Sequence, residues 1–311
     1  MEYDKNERTV KNMRKAAFIA VIGRPSVGKS TLVNRLCGEK VAIVSAVPQT
    51  TRNAIRGIVN REEGQLVFID TPGRHLSEKK LNKKLQDVSD RSIADAEIVL
   101  YVLDATRAPA EEEEKIAADL ADALENPAEK LVFAINKMDS PDANFAAAAA
   151  FVRKFFPSVG EDRCFTISAL KREGLAPLLD ALFALSPEGE AFYPEEYYTD
   201  QDVRFRIAEI IREKAINRLW DELPHAIYVD VADAEFKENG TTLWVRAFII
   251  TERESQKGMI VGKGGSMIRS IRHAALKELK RIFEWKIELD LRVKAAPDWR
   301  HNDGVLKRLI E

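Results

Sequence analysis

Cysteine is scarce. The 311 residues contain two, Cys37 and Cys164, too few for a disulfide framework and too isolated from histidine to suggest a zinc site. Both are expected to pack as small hydrophobes. Long apolar runs are also missing: the longest, Phe145 to Val152, is far short of the ~20 residues that span a bilayer. The N-terminus, MEYDKNERTVKNMRK, lacks the apolar stretch of a secretory signal, so the cytosol is the expected compartment. With 45% apolar and 32% charged residues, the composition is that of a globular protein with a charged surface, and the length suits about two domains.

The net charge of −2 hides an asymmetry. Residues 201–311 hold 21 basic and 18 acidic residues, so the excess acid lies before them. Within Arg253 to Arg281 eight basic residues face two acidic ones, a candidate surface for a polyanion. Apolar runs AAFIAVIG, LVFID, EIVLYVLD, KLVFAIN and RCFTIS recur at roughly thirty-residue intervals with helix-like segments between them, the pattern of a parallel sheet with crossover helices. Ala54–Asn60 and Gln65–Asp70 are joined so briefly that a hairpin with an antiparallel edge strand is expected. After Leu185 the acidic, aromatic stretch SPEGEAFYPEEYYTD reads as a linker. A helix near Asp202–Trp220, strands near Ala226–Ala234 and Thr241–Thr251, a basic helix near Ser266–Phe283 and a strand near Trp285–Val293 are expected beyond it. The division expected is a tail over 1–14, a nucleotide-binding domain over 15–188, a linker over 189–200 and a C-terminal domain over 201–311.

Gly23-Arg24-Pro25-Ser26-Val27-Gly28-Lys29-Ser30, between a strand and a helix that opens with Thr31, has the spacing of a phosphate loop. Lys29 would neutralise the β- and γ-phosphates and Ser30 would ligate Mg2+. Asp70-Thr71-Pro72-Gly73 would bring a carboxylate to the metal and the Gly73 amide to the γ-phosphate. Thr50 or Thr51, in Gln49-Thr50-Thr51-Arg52, would complete the metal shell, and the sequence leaves the choice open. Asn136-Lys137-Met138-Asp139 points to guanine, because Asp139 can accept from N1–H and the 2-amino group together. Asn136 would hold the loop and reach N7, Lys137 would lie along the base, and Ser168-Ala169-Leu170 could offer the Ala169 amide to O6.

In the second half, Gly262-Lys263-Gly264-Gly265 forms a G-x-x-G turn before the basic helix, where a nucleic-acid backbone can approach main chain closely. Lys257, Lys263, Arg269 and Arg272 supply charge for phosphates, and Ile260, Val261, Ile268 and Ile271 suit a wall for unstacked bases. His273 is assigned to plain surface or packing. Glu111–Glu114 reads as the acidic start of a helix. Asp298, His301 and Asp303 are not taken as a metal cluster, and Phe192, Tyr193, Tyr197 and Tyr198 are expected to cover a domain junction.

Taken together, these motifs, with EIIREK and RESQKGMIVGKGG, resemble the Era family of GTPases over about residues 15–300. The fold expected is therefore α/β: a P-loop NTPase domain with a mixed, mostly parallel sheet, then an α+β type-2 KH domain. The resemblance implies a cytosolic, monomeric GTPase that uses Mg2+ and binds 16S rRNA near its 3′ end during assembly of the 30S subunit, some members touching the inner membrane peripherally. Two positions depart from the family. Ser26 stands where an asparagine usually helps to bind activating K+, which leaves potassium dependence open; Arg74 stands where the family usually has an apolar residue and Ras-like enzymes a glutamine. Two other readings remain: a signalling GTPase whose C-terminal domain binds a protein, and an RNA chaperone that uses nucleotide only structurally.

Overall fold

The five apolar runs and the expected edge strand before the second of them become one sheet. In a computed structural model, which describes residues 14–48, 50–73, 80–238 and 240–310, the first unit runs β1 (Lys15–Ile22), α1 (Lys29–Cys37), β2 (Ile55–Arg61), β3 (Gly64–Asp70), α2 (Lys80–Asp95), β4 (Ile98–Asp104), α3 (Glu111–Ala123), the single turn α4 (Pro127–Lys130), β5 (Leu131–Asn136), α5 (Phe145–Phe155), β6 (Cys164–Thr166) and α6 (Leu175–Leu185). Except for Arg14, the expected tail lies outside the described residues, as do Gln49 and Arg74.

The strand order is β2-β3-β1-β4-β5-β6. Every residue of β3, β4 and β5 is buried, because helices cover both faces, and this explains why these strands read as continuous apolar runs rather than alternating ones. Only β2 is antiparallel, paired from Ile55 opposite Asp70 to Arg61 opposite Gly64, as the short connection implies. Gly64 has φ 149°, and a Cβ there would lie 1.8 Å from the Lys15 carbonyl oxygen, so a side chain is excluded at this close crossing.

The segment before the second unit is laid along the free edge of β2. Ile58 N–H donates to the Tyr198 carbonyl at 2.9 Å, Thr199 Oγ1 to the Arg56 carbonyl at 2.8 Å and Asn60 Nδ2 to the Glu195 carbonyl at 2.8 Å. These contacts occupy a strand edge that would otherwise be open to pairing with another chain. Phe192 packs on Phe18 with ring centroids 4.3 Å apart, and Tyr198 joins Val41, Ala42 and Ile55 to Phe205 of the second unit; of the four aromatics expected at the junction Tyr198 covers it, while Phe192 and Tyr197 stay largely exposed.

The second unit comprises α7 (Val203–Ile216), β7 (Ile227–Phe236), β8 (Thr242–Thr251), α8 (Glu254–Val261), α9 (Ser266–Ile282) and β9 (Lys286–Ala295), followed by a 3-10 turn at Trp299–His301 and α10 (Asp303–Ile310). β7 is antiparallel to β8, while β9 returns parallel to β8 through the α8–α9 crossover, the type-2 KH order. Ile207, Ile210 and Ile211 of α7 meet Val245, Ala247 and Ile249 of β8 and Ile271, Ala275 and Leu279 of α9 in its core. Helix α7 is shorter than expected. Asp202 is its cap, accepting from Arg204 N–H at 2.8 Å, and it ends at Ile216 because Asn217 turns away to bond Val44 and Ser45 of the first unit. Among the described residues no helix is long and apolar enough to cross a membrane, and none form a group of three or more His/Cys/Asp/Glu side chains placed to hold a metal.

Gln65 secures the connecting segment. It is 1% exposed, and its Oε1 accepts from Phe192 N–H and Tyr193 N–H at 2.8 and 2.9 Å. Replacing it by leucine strands two backbone donors, so Gln65→Leu is expected to destabilise the protein by about 2 kcal/mol and expose residues 189–200 to protease, measured by urea unfolding and limited proteolysis. An unchanged urea midpoint would show that the segment is held elsewhere.

Candidate functional site

The loop from β1 to α1 is shaped by backbone that few residues accept. Gly23 has φ 142° and faces the Val102 carbonyl; Gly28 has φ 104°, and a Cβ on it would meet Asn136 Nδ2 at 2.5 Å. Ser26 itself takes φ 64°. Val27 is fully buried in the sheet core, so the loop pivots on it. Lys29 is 6% exposed and donates from Nζ to the carbonyls of Gly23 at 2.9 Å and Arg24 at 3.0 Å. Burial pulls its pKa down to about 8, with Asp70 and Glu113 acting in the opposite direction. A cavity of about 370 Å3 opens here, lined by Pro25, Ser26, Gly28, Lys29, Ser30 and Thr31 on one side and by residues 43–47, Thr50 and Thr51 on the other.

Three oxygen-bearing side chains converge beside Lys29. Ser30 Oγ donates to Asp70 Oδ2 at 2.6 Å, and Thr51 Oγ1 lies 3.0 Å from Ser30 Oγ and 3.2 Å from Asp70 Oδ2. Asp70 is fully buried, its Oδ1 has no hydrogen-bond partner, and burial raises its pKa. An orphaned carboxylate oxygen beside two hydroxyls fits a hard divalent cation. Of the two threonines left open by the sequence, Thr51 is the one whose hydroxyl reaches Asp70, while the Thr50 hydroxyl donates to the Val47 carbonyl at 2.6 Å. Thr71 likewise serves the fold, donating to the Val21 carbonyl at 2.7 Å, while Pro72 is buried beside it. Gly73 comes so near the loop that a Cβ would sit 2.9 Å from Pro25 Cα.

At the base end, Asn136 ties the loops together. Its Nδ2 donates to the Val27 carbonyl at 2.8 Å and its Oδ1 accepts from Ala169 N–H at 2.9 Å. The amide expected to face guanine O6 is thus engaged by Asn136. Asp139 is held below the usual carboxylate range by a hydrogen bond from Ser168. Lys137, at φ 67°, sends Nζ to Asp104 Oδ2 at 2.7 Å; Arg107 shares that carboxylate and also donates to the Pro25 carbonyl at 3.1 Å. Leu170 is 68% exposed beside these groups.

In the second unit, Gly262, Gly264 and Gly265 all have positive φ, and α9 begins directly after them. Lys263, Arg269, Arg272, His273 and Lys277 are exposed along this face, and Lys257 pairs with Glu254 at 2.8 Å. Arg272 also donates from Nε to the Leu289 carbonyl on β9 at 2.6 Å. The apolar wall needs correction. Ile260 and Ile271 are completely buried, because their helical positions point into the core; Val261 and Ile268 are half-buried, and Ile268 also packs against that core.

Several functional contacts have no short-range signature. The segment from Lys40 to Arg52 docks on α7: Glu213 accepts from Val44 N–H at 2.9 Å and from Lys40 Nζ, Arg212 donates to the Thr50 carbonyl at 2.6 Å, Asn217 bonds Ser45, and Ile43 inserts into the second core. Lys40 also pairs with Glu278 of α9 at 3.2 Å. Arg52 donates to the Ile227 carbonyl at 2.9 Å and lies over the Trp299 ring; burial, together with Arg212, pulls its pKa down to about 9.

Comparison with known proteins converges on one family. A family model described as 50S ribosome-binding GTPase matches residues 18–137, and a KH domain model matches 222–300. GTPase Era of Treponema denticola is 50% identical over 294 residues, covering 94% of this chain and 99% of its own. The chain belongs to the GTPase Era family. GTPase Era of Borreliella burgdorferi is 43% identical over 296 residues, covering 95% and 99%. Two solved structures, each 32% identical over 94% of this chain and 98% of their own, share the whole architecture: a variant of Aquifex aeolicus Era bound to GDP.AlF4- (TM-score 0.89) and Era with MgGDPNP and nucleotides 1506–1542 of 16S ribosomal RNA (TM-score 0.87). The family assignment makes the chain a GTPase, with a P-loop domain followed by a KH domain.

The lowered pKa of Lys29 has a measurable consequence. Phosphates favour its charged form, so nucleotide binding takes up protons, and affinity for GDP is expected to fall as pH rises from about 7 to about 9, approaching about tenfold per unit at the upper end. Calorimetry in buffers of differing ionisation enthalpy reads this uptake directly. A flat affinity across that range would show that Lys29 does not meet phosphate.

Proposed function

We propose that the protein is a GTP-driven switch whose C-terminal domain grips 16S rRNA near its 3′ end and so assists assembly of the 30S subunit in the cytosol. The observation that carries this reading is the placement of Thr51. Its hydroxyl belongs to the Ser30–Asp70 cluster, while the segment bearing it is docked on α7 through Arg212 and Glu213. A γ-phosphate that reorders this segment must alter its seat on the KH domain.

In this mechanism residues 15–188 bind GTP, residues 201–311 bind RNA, and 189–200 join them. Ser30, Thr51 and Asp70 hold Mg2+, which supplies charge neutralisation at the β- and γ-phosphates. Lys29 and the amides of residues 24–28 surround the phosphate oxygens, and the Gly73 amide senses the terminal group. Asp139 reads guanine, and Asn136 braces that loop against the phosphate loop. Water attacks the γ-phosphorus in line with the bond that breaks, and intrinsic turnover is slow because Arg74 stands where Ras-like enzymes carry the water-orienting glutamine. The serine hydroxyl at 26 is shorter than an asparagine amide, so replacing K+ by Na+ is expected to change the rate less than about twofold.

The relative solved with MgGDPNP and 16S rRNA nucleotides 1506–1542 supports an RNA ligand of that kind. A short single strand would lie along the G-x-x-G turn, its phosphates near Lys263 and Arg269 and its bases against Val261 and Ile268. Log affinity of the full chain for such an RNA should fall linearly with log salt, and Lys263→Gln with Arg269→Gln should weaken binding and flatten the slope by about one each. No salt dependence would favour a protein partner instead. Asp139→Asn exchanges an acceptor for a donor and should move nucleotide preference from guanine to xanthine; retained guanine preference in competition binding would overturn the role of Asp139.

A further inference from the structure

The acidic run at the start of α3 contains one residue that a helix-dipole reading does not explain. Glu113 is 1% exposed, on the same stripe of the helix as buried Ile116, Ala117 and Leu120, whereas an acid that serves only the dipole stays in water. Its carboxylate accepts from Tyr101 Oη of β4 at 2.7 Å and forms an ion pair with Arg24, the second residue of the phosphate loop. Arg24 is itself 6% exposed, and its Nε makes no aligned hydrogen bond, so attraction of charge holds the pair.

The main chain of Arg24 faces the opposite way, and its carbonyl is one of the two that receive Lys29 Nζ. The loop is therefore fastened at both faces of one residue: side chain to Glu113, carbonyl to Lys29. We propose that Glu113 is a positioning residue for GTP hydrolysis, which through Arg24 fixes the carbonyl that aims Lys29 at the phosphates. It rests on the assignment of Lys29 to the phosphates made above. Glu113 never touches nucleotide in this scheme.

The test uses full-length protein with Glu113→Gln, and with Arg24→Met combined with Glu113→Leu, which leaves no uncompensated charge in the core. Steady-state GTP hydrolysis is measured per folded site, with circular dichroism to verify folding. Both variants are expected to lose about tenfold or more in kcat, with KM for GTP changed less than about threefold, and Glu113→Asp, which keeps the carboxylate facing Arg24, should recover part of that loss. A purely structural role would reduce the amount of active protein and leave kcat per folded site unchanged. Folded variants with wild-type kcat overturn the proposal, and so does failure of both to fold, which would make the pair structural. Lys29→Met separates the underlying assumption: if it binds and hydrolyses GTP normally, the assignment of Lys29 fails whatever Glu113 does.

Discussion

The docking of residues 40–52 on α7 is the constraint on which the molecule's logic depends. This segment closes the phosphate cavity with one side and enters the second core with the other: Ile43 packs among the isoleucines of α7, and Glu213 and Arg212 hold the Val44 amide and the Thr50 carbonyl. Both partners are almost wholly buried, at 3% and 2% exposure, so the contacts are shielded from salt in a way that surface ion pairs are not. A change at Thr51 of even a fraction of an ångström has few directions in which to be absorbed. The packed surface of α7 transmits it or breaks contact.

Electrostatics at the phosphate site follow from the same economy of burial. Lys29 and Asp70 are both hidden from water and pushed toward their neutral forms, as expected of groups whose proper partners are a polyanion and a cation. Around them the protein supplies opposing charge only where it stabilises the arrangement. Glu113 sits beneath Arg24, and Asp104 gathers Lys137 and Arg107. Burial alone would raise Asp104, yet Lys137 and Thr106 outweigh it and hold its carboxyl below the usual range. The result is a site with fixed dipoles already in place, which lowers the reorganisation needed as charge develops on the departing GDP.

Most of the architecture was legible because it is encoded over short distances. A glycine pair followed by Lys29 and Ser30, a hairpin connection as short as Glu62–Glu63, and a G-x-x-G turn before a basic helix each specify local backbone that little else satisfies. What escaped depends on elements distant in sequence. Thr50 and Thr51 have the same chemistry, and only the approach of β3 shows that Thr51 meets Asp70. Ile260 and Ile268 look alike in a composition count, yet helix phase buries the first and leaves the second partly exposed. Glu113 did carry a sequence signal, its i, i+3, i+4 alignment with Ile116 and Ala117, but four successive glutamates masked it. Ala169 looked free until the Asn136 side chain was seen to take its amide.

Coupling between sites is reciprocal, so one thermodynamic cycle tests the central claim most directly. Affinity for a short single-stranded RNA is measured with GDPNP and with GDP, and GDPNP affinity with and without that RNA, for the wild type and for Arg212→Ala. The docked segment predicts that the two ratios agree and differ clearly from one in the wild type, and that both move toward one in the variant while nucleotide itself still binds. RNA affinity that ignores the nucleotide, or coupling that survives the loss of Arg212 undiminished, would contradict it.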